Sequence, residues 1–224
     1  ANNHIQLCLG SNVESDYVDV DAGFGREVHE LVPAQLNPDT QEWTGTVMTL
    51  TVSSEGIVRI YGDPSHINLI DAHGCALRRI ECSQLTGLSI LDLSHNELEA
   101  LDLTPFQQLA AVYVNDNTFH VQPLKVGTPK DNLLILEMQS VKGLDPSFNL
   151  SDYPNLVTFD AWNASGLQRV DPTGCPKLQR LSIDSTPVSS LDVAQNANLD
   201  ILNISGTAIR YGDLSHNPPF QLSY

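Results

Sequence analysis

The sequence predicts a right-handed solenoid in which each coil adds one short strand to a parallel sheet of about eight to nine strands. Two observations carry this reading. A hydrophobic pattern recurs every 20 to 24 residues, and a small polar residue holds a fixed place in most repeats. Residues 88–103, LSILDLSHNELEALDL, show both: leucines at 88, 91, 93, 98, 101 and 103, and an asparagine at 96. A helix would space its apolar residues three and four apart, and a half-buried strand would alternate throughout. Here alternation holds only for Leu91, Asp92 and Leu93 and then stops at Ser94-His95-Asn96.

Apolar residues at offsets 0, +3, +5 and +10 recur from Val47, Ile67, Leu88, Leu109, Leu133, Leu156, Leu178 and Leu199. Of these 32 positions 30 are apolar with alanine included, against about 13 from composition, so the period is a property of the chain. The two exceptions, Gly143 and Gly166, are each followed by leucine, which implies one inserted residue in those turns. In each coil Leu91-type and Leu93-type residues face inward and the residue between faces outward. The chain must then turn sharply, and a turn stacked between neighbours needs partners for its backbone N–H and C=O groups. An asparagine amide donates and accepts at once. Offset +8 holds Asn96, Asn117, Thr186 and Thr207, with Cys75 in one coil and Ser165 at a shifted place; Glu55 and Val141 interrupt the series.

LSILDLSHNEL matches the pattern L-x-x-L-x-L-x-x-N-x-L at every fixed position. The chain therefore resembles leucine-rich repeat proteins over about residues 47–218, with short repeats like those of internalin-type bacterial proteins. VSSEGIVRIYGD, INLIDAHGC and LSHNELEALDL look most like leucine-rich surface proteins of Bacteroidetes. The resemblance implies an α/β-class solenoid with a concave parallel sheet, a mostly irregular or 3₁₀ convex side, and a binding role without catalysis. It also implies a setting on the surface or in the periplasm of a bacterium. Residues 1–46 do not fit the repeat and are expected to cap the exposed edge of the first coil, with a short helix near Arg26 to Leu31. FQLSY at the C-terminus continues the spacing, so 219–224 is expected to begin a further strand.

A net charge of −16 from 27 acidic and 11 basic residues disfavours nucleic acid as a partner and suits a basic protein or peptide. No apolar run reaches the roughly 20 residues of a membrane helix. The chain begins at Ala1 without a leader, which fits a mature exported protein, with a lipid anchor upstream as one version of this. The cysteines (8, 75, 82 and 175) form no C-x-x-C pair, and the last three read as small buried apolar residues in the reduced state. No metal or cofactor site is expected, and no catalytic motif of the hydrolase, metalloprotease or phosphate-loop type occurs.

The outward sheet positions are the candidate binding surface. Offset +4 gives Asp71, Asp92, Tyr113, Glu137, Asp160 and Asn203, and offset +6 gives His73, Asn115, Trp162 and Asp184. Arg180 joins them from offset +2, a column that otherwise carries Leu69, Ile90, Ala111, Ile135, Thr158 and Ile201 and reads as an apolar stripe. Strands about 4.8 Å apart place Asp71 beside Asp92 and Glu137 beside Asp160, like charges that would receive a cationic group. Tyr113 and Trp162 are the expected aromatic anchors. Three other readings fit less well, the plainest being a purely structural spacer. A glycan binder would use the same two rings as stacking platforms. A parallel β-helix polysaccharide lyase would need a basic proton acceptor, and only His73 and Arg180 supply basic groups on that face.

Overall fold

The computed structural model describes residues 3–36, 43–127, 130–210 and 221–223. Its N-terminal third contributes β1 (Asn3–Ser11), β2 (Asp16–Asp21), β3 (Arg26–Leu31), β4 (Gln35–Leu36), β5 (Trp43–Thr44), β6 (Thr46–Val52) and β7 (Arg59–Tyr61). The repeats contribute β8 (Ile67–Asp71), β9 (Ile90–Asp92), β10 (Ala111–Tyr113) and β11 (Ile135–Glu137). They continue with β12 (Thr158–Asp160), β13 (Arg180–Ser182), β14 (Ile201–Asn203) and β15 (Gln221–Ser223). Strands β8 to β15 pair in order, all parallel and without slippage, Asp71 opposite Asp92 and Tyr113 opposite Glu137. The fold is a β-solenoid. Among the described residues it contains no α-helix, and its returning side is turns plus one 3₁₀ turn at Leu150–Asp152.

The repeat offsets place side chains as the hydrophobic pattern demands. From Ile67 onward the residues at 0, +3 and +5 form one continuous core, with Leu88, Leu91, Leu93 and Leu98 fully buried. Leu144 and Leu167 take the inward place after the two glycines, so the inserted residues are Gly143 and Gly166. Gly143 sits at φ +82°, and a Cβ there would run into the carbonyl of Phe119. Only glycine fits.

Each strand ends in the same turn. Offset +7 is left-handed in every repeat from Ile67 onward: Gly74, His95, Asp116, Ser140, Asn163, Ser185 and Gly206. The next residue stitches coils together. Asn96 Oδ1 accepts from the N–H groups of Cys75 (3.0 Å) and Leu77 (2.9 Å), while Nδ2 donates to the carbonyls of Ala72, Leu93 and Ser94. Asn117 repeats this one coil later, accepting from Leu98 N and donating to the carbonyls of Leu93, Val114 and Asn115. Thr186 and Thr207 donate only to the carbonyl three residues back. Ser165 plays no such part: buried Ala164 holds offset +8 in that coil and Ser165 is exposed.

A second column lies three residues before each repeat start, where Leu85, Phe106, Lys130, Tyr153, Cys175 and Asn196 align, and its last four members bury polar atoms. Lys130 Nζ donates to the carbonyls of Leu103 (3.0 Å) and Phe106 (2.7 Å), and Asn196 Nδ2 to those of Pro172 and Cys175. Cys175 Sγ reaches the Leu150 carbonyl and the Tyr153 hydroxyl that of Gly127. Sequence reading gave Cys175 a buried apolar place and passed over Lys130 and Asn196. All four cysteines are free thiols.

The N-terminal third departs from the expected pattern. Strand β6, read above as the first coil from Val47, runs antiparallel to β1, and Val47 is exposed. Strand β1 is inserted between β6 and β8, antiparallel to both, and so covers the edge that the first parallel strand would present. Arg26 to Leu31 is not helical. It forms β3, paired antiparallel with β2, which itself pairs with β7. Tertiary pairing with β2 decides the conformation of this segment over its local sequence.

Two stability measurements follow. Asn117→Ala should cost about 1–3 kcal/mol in urea unfolding, because a buried N–H and three carbonyls lose a shared partner. The second concerns Lys130, whose amine burial pushes down to about 8 from 10.5. Between those values the unfolded chain keeps a proton that the folded chain has released, so stability rises with pH across that window. Measured against Lys130→Met, the wild-type protein should gain up to about 3 kcal/mol between pH 8 and 10.5. The carbonyl bonds favour the charged amine and make that an upper bound.

Candidate functional site

The outer face of the sheet brings the proposed residues into one field but divides it in two. At its N-terminal end, Leu69, Ile90 and Ala111 are buried with Cys8 beneath Ala34 and Trp43. Ala34 precedes β4 and Trp43 opens β5, and these two strands pair Gln35 with Thr44 and Leu36 with Trp43. The expected apolar stripe is therefore roofed by the N-terminal segment over its first three members. Ile135, Thr158, Arg180 and Ile201 remain half-exposed. Tyr113 packs against the roofed cluster and is half-buried, and burial first, then the Glu137 carboxylate, raises its hydroxyl pKa.

The aspartates at offset +4 have a structural task that was not anticipated. Oδ1 of Asp71, Asp92 and Asp160 accepts from the backbone N–H two residues on: His73 (3.1 Å), Ser94 (2.9 Å) and Trp162 (3.2 Å). Asparagine at +6 does similar work, since Asn115 Oδ1 accepts from Gln139 N at 2.7 Å and Nδ2 donates to Glu137 at 3.3 Å. Asn115 is thus a buried structural residue, contrary to its expected solvent-facing role. A short polar side chain holds the chain at the ends of these strands, and where it is aspartate charge on the face comes with it.

The like-charge pairs differ in how they are answered. Asp160 is buried at 5% exposure and binds Arg180 at 3.1 Å, so Glu137 faces an ion pair and not a bare carboxylate. Burial raises the pKa of Glu137, with Asp160 adding to it and Arg180 opposing it. Asp184 accepts from the Ser182 hydroxyl at 2.8 Å, and Asn203 is half-exposed beside Ser182. At the other end Asp71 and Asp92 stand side by side, with His73 Nδ1 2.6 Å from Asp71 Oδ1. Burial raises the pKa of Asp92, and Asp71 contributes. Trp162 remains the open anchor at 46% exposure. It lies two residues from Asp160 and across from Ser140.

No family model matches the chain, and no curated protein matches it. Among solved structures it is similar to the functional domain of InlJ from Listeria monocytogenes, described as including a cysteine ladder. Identity is 20% and the TM-score 0.42, over 58% of this chain and 33% of that one. The chain spans about a third of that chain's length, and a likeness this distant carries no functional argument. No helix among the described residues is long and apolar enough to cross a membrane.

The burial of Asp160 changes what its substitution should do. Asp160→Ala should cost about 1–3 kcal/mol in thermal or urea unfolding, because Arg180 and Trp162 N lose their acceptor. Asp131→Ala, on the exposed turn side, should stay within about 0.5 kcal/mol.

Proposed function

We propose that the chain is a non-enzymatic binding module that engages a protein or peptide segment, basic in character, on the open part of its outer sheet face. The supporting observation is Trp162. A large indole stands exposed beside Glu137 and the Asp160–Arg180 pair, with half-exposed Ile135 and Ile201 on the same face. An aromatic anchor with charge and aliphatic surface around it is the composition of an interface centre. Glu137, Asp71, Asp92 and Asp184 make the face acidic and favour a cationic partner. The residues enlisted for recognition are Trp162, Glu137, Arg180, Ile135 and Asn203, with Tyr113 as a fixed wall.

The setting we propose is the surface or periplasm of a bacterium, following the sequence resemblance. A catalytic reading finds little support on this face. Arg180 is bound to Asp160 and keeps its charge, so it is no proton acceptor for a lyase, which leaves His73, paired with Asp71, as the sole basic candidate named for that role. A glycan reading keeps Trp162 as a platform but loses the second, because Tyr113 packs against the roofed cluster.

Selection of a random peptide library on the immobilised protein tests this reading. Basic sequences should be enriched, and Trp162→Ala should weaken the selected peptides by about 2 kcal/mol or more in surface plasmon resonance. Gln107→Ala, on the turn side, should leave them unchanged. Loss with Gln107→Ala but not Trp162→Ala would move the site off this face, and selective capture on a glycan array would replace peptide with sugar.

A further inference from the structure

The Asp71, His73 and Asp92 cluster is distinct from the carboxylates farther along the face because it includes an imidazole. One ligand atom from each of the three residues lies within 4.8 Å of the other two. Strand pairing fixes this closeness: Asp71 and Asp92 are register partners on β8 and β9, and His73 follows Asp71 by two residues. Both carboxylates are already oriented by one oxygen. Asp71 Oδ1 holds the His73 N–H and lies 2.6 Å from His73 Nδ1, and Asp92 Oδ1 holds the Ser94 N–H, so an ion would take the other oxygens of these carboxylates or replace these contacts. The charges acting on Asp92 are Asp71 and His73, whereas Asp160 has an arginine. The side chains are reachable from solvent, 25% exposed for Asp71 and 55% for His73.

We propose that Asp71, His73 and Asp92 form a binding site for a divalent transition-metal ion at the N-terminal end of the outer sheet face. The donor set decides the class of ion. Two carboxylates and one imidazole suit zinc, manganese or nickel, while calcium takes six to eight oxygens and gains little from a nitrogen. Metal–ligand bonds of about 2.0–2.2 Å set donors roughly 3–3.5 Å apart, so the widest separation in the cluster needs to close by up to roughly 1.5 Å. Three protein ligands leave coordination positions for water or for a donor from a bound partner. The ion would also relieve the repulsion that the strand register imposes on Asp71 and Asp92.

The test uses the protein alone, so its outcome is independent of the peptide-binding reading. Zn²⁺ is titrated calorimetrically into the reduced protein near neutral pH, with Ca²⁺ in parallel. One Zn²⁺ should bind per chain in the micromolar range and raise the melting temperature, with Ca²⁺ far weaker. His73→Gln and Asp92→Asn should each weaken Zn²⁺ at least about tenfold. The asparagine retains an acceptor for Ser94 N, so Asp92→Asn keeps the turn and remains informative about the metal. His95→Ala, in the adjacent coil against Asp116, should bind as the wild type does. Absence of Zn²⁺ binding below millimolar concentration overturns the proposal. So does Zn²⁺ affinity unchanged by His73→Gln, or calcium bound as tightly as zinc.

Discussion

The turn that closes each strand governs this molecule. Three residues of parallel strand must give way to a reversal that is stacked on both sides by identical reversals, with no water to satisfy its backbone. The solution has two parts that act together. Offset +7 enters the left-handed region, a conformation that suits glycine and is tolerated by asparagine, aspartate and serine. Offset +8 then turns its side chain inward, and where it is asparagine it serves backbone groups of two coils at once. A steric cost at one residue is thereby offset by hydrogen bonds from the next. Valine or alanine at +8 is tolerated in the coils where direct backbone bonds suffice, as between Lys142 N and Asn117 O.

The acidity of the protein follows partly from this same demand. Strand ends use aspartate to hold the N–H two residues on, and the returning side repeats the device. Asp145 and Asp171 accept from the N–H and the hydroxyl of Ser147 and Thr173, which lowers both their pKa values. Asp102 and Asp192 hold Thr104 N and Ala194 N in the same way. Many of the 27 acidic side chains are therefore turn residues first. Net charge alone overstated how much of the outer face is devoted to a ligand.

What was legible in the sequence is what the period encodes. Hydrophobic spacing located β8 to β14 and their inward residues, and the Asn96 and Asn117 ladder, because identical coils repeat identical constraints. The N-terminal third was illegible for the opposite reason. Its strands are set by single pairings, β1 between β6 and β8, that no repetition announces. Val47 imitated a repeat start because an antiparallel strand alternates its side chains as a parallel one does. Lys130 and Asn196 were missed because a polar residue in an apolar column looks like a surface position until the carbonyls of the preceding coil are seen. Asp160 and Asn115 were read as outward positions, yet both are buried, so outward does not mean solvated. A neighbour at the same offset can cover and pair a side chain, as Arg180 does for Asp160.

The N-terminal segment thus shapes the candidate surface as much as the repeats do. By laying Ala34 and Trp43 over Leu69, Ile90 and Ala111, it removes the most apolar part of the outer face from solvent and fixes Tyr113 as a boundary. What lies beyond that boundary is different on each side. Toward the C-terminus are an exposed indole, aliphatic residues and an arginine already engaged by aspartate, a surface that favours contact over a broad area. Beside the roof are two carboxylates and an imidazole gathered within the reach of one small ion. A single sheet, whose parallel strands β8 to β15 keep one register, therefore presents two chemically separate places, because the N-terminal segment interrupts the surface where the repeat alone would have left it continuous.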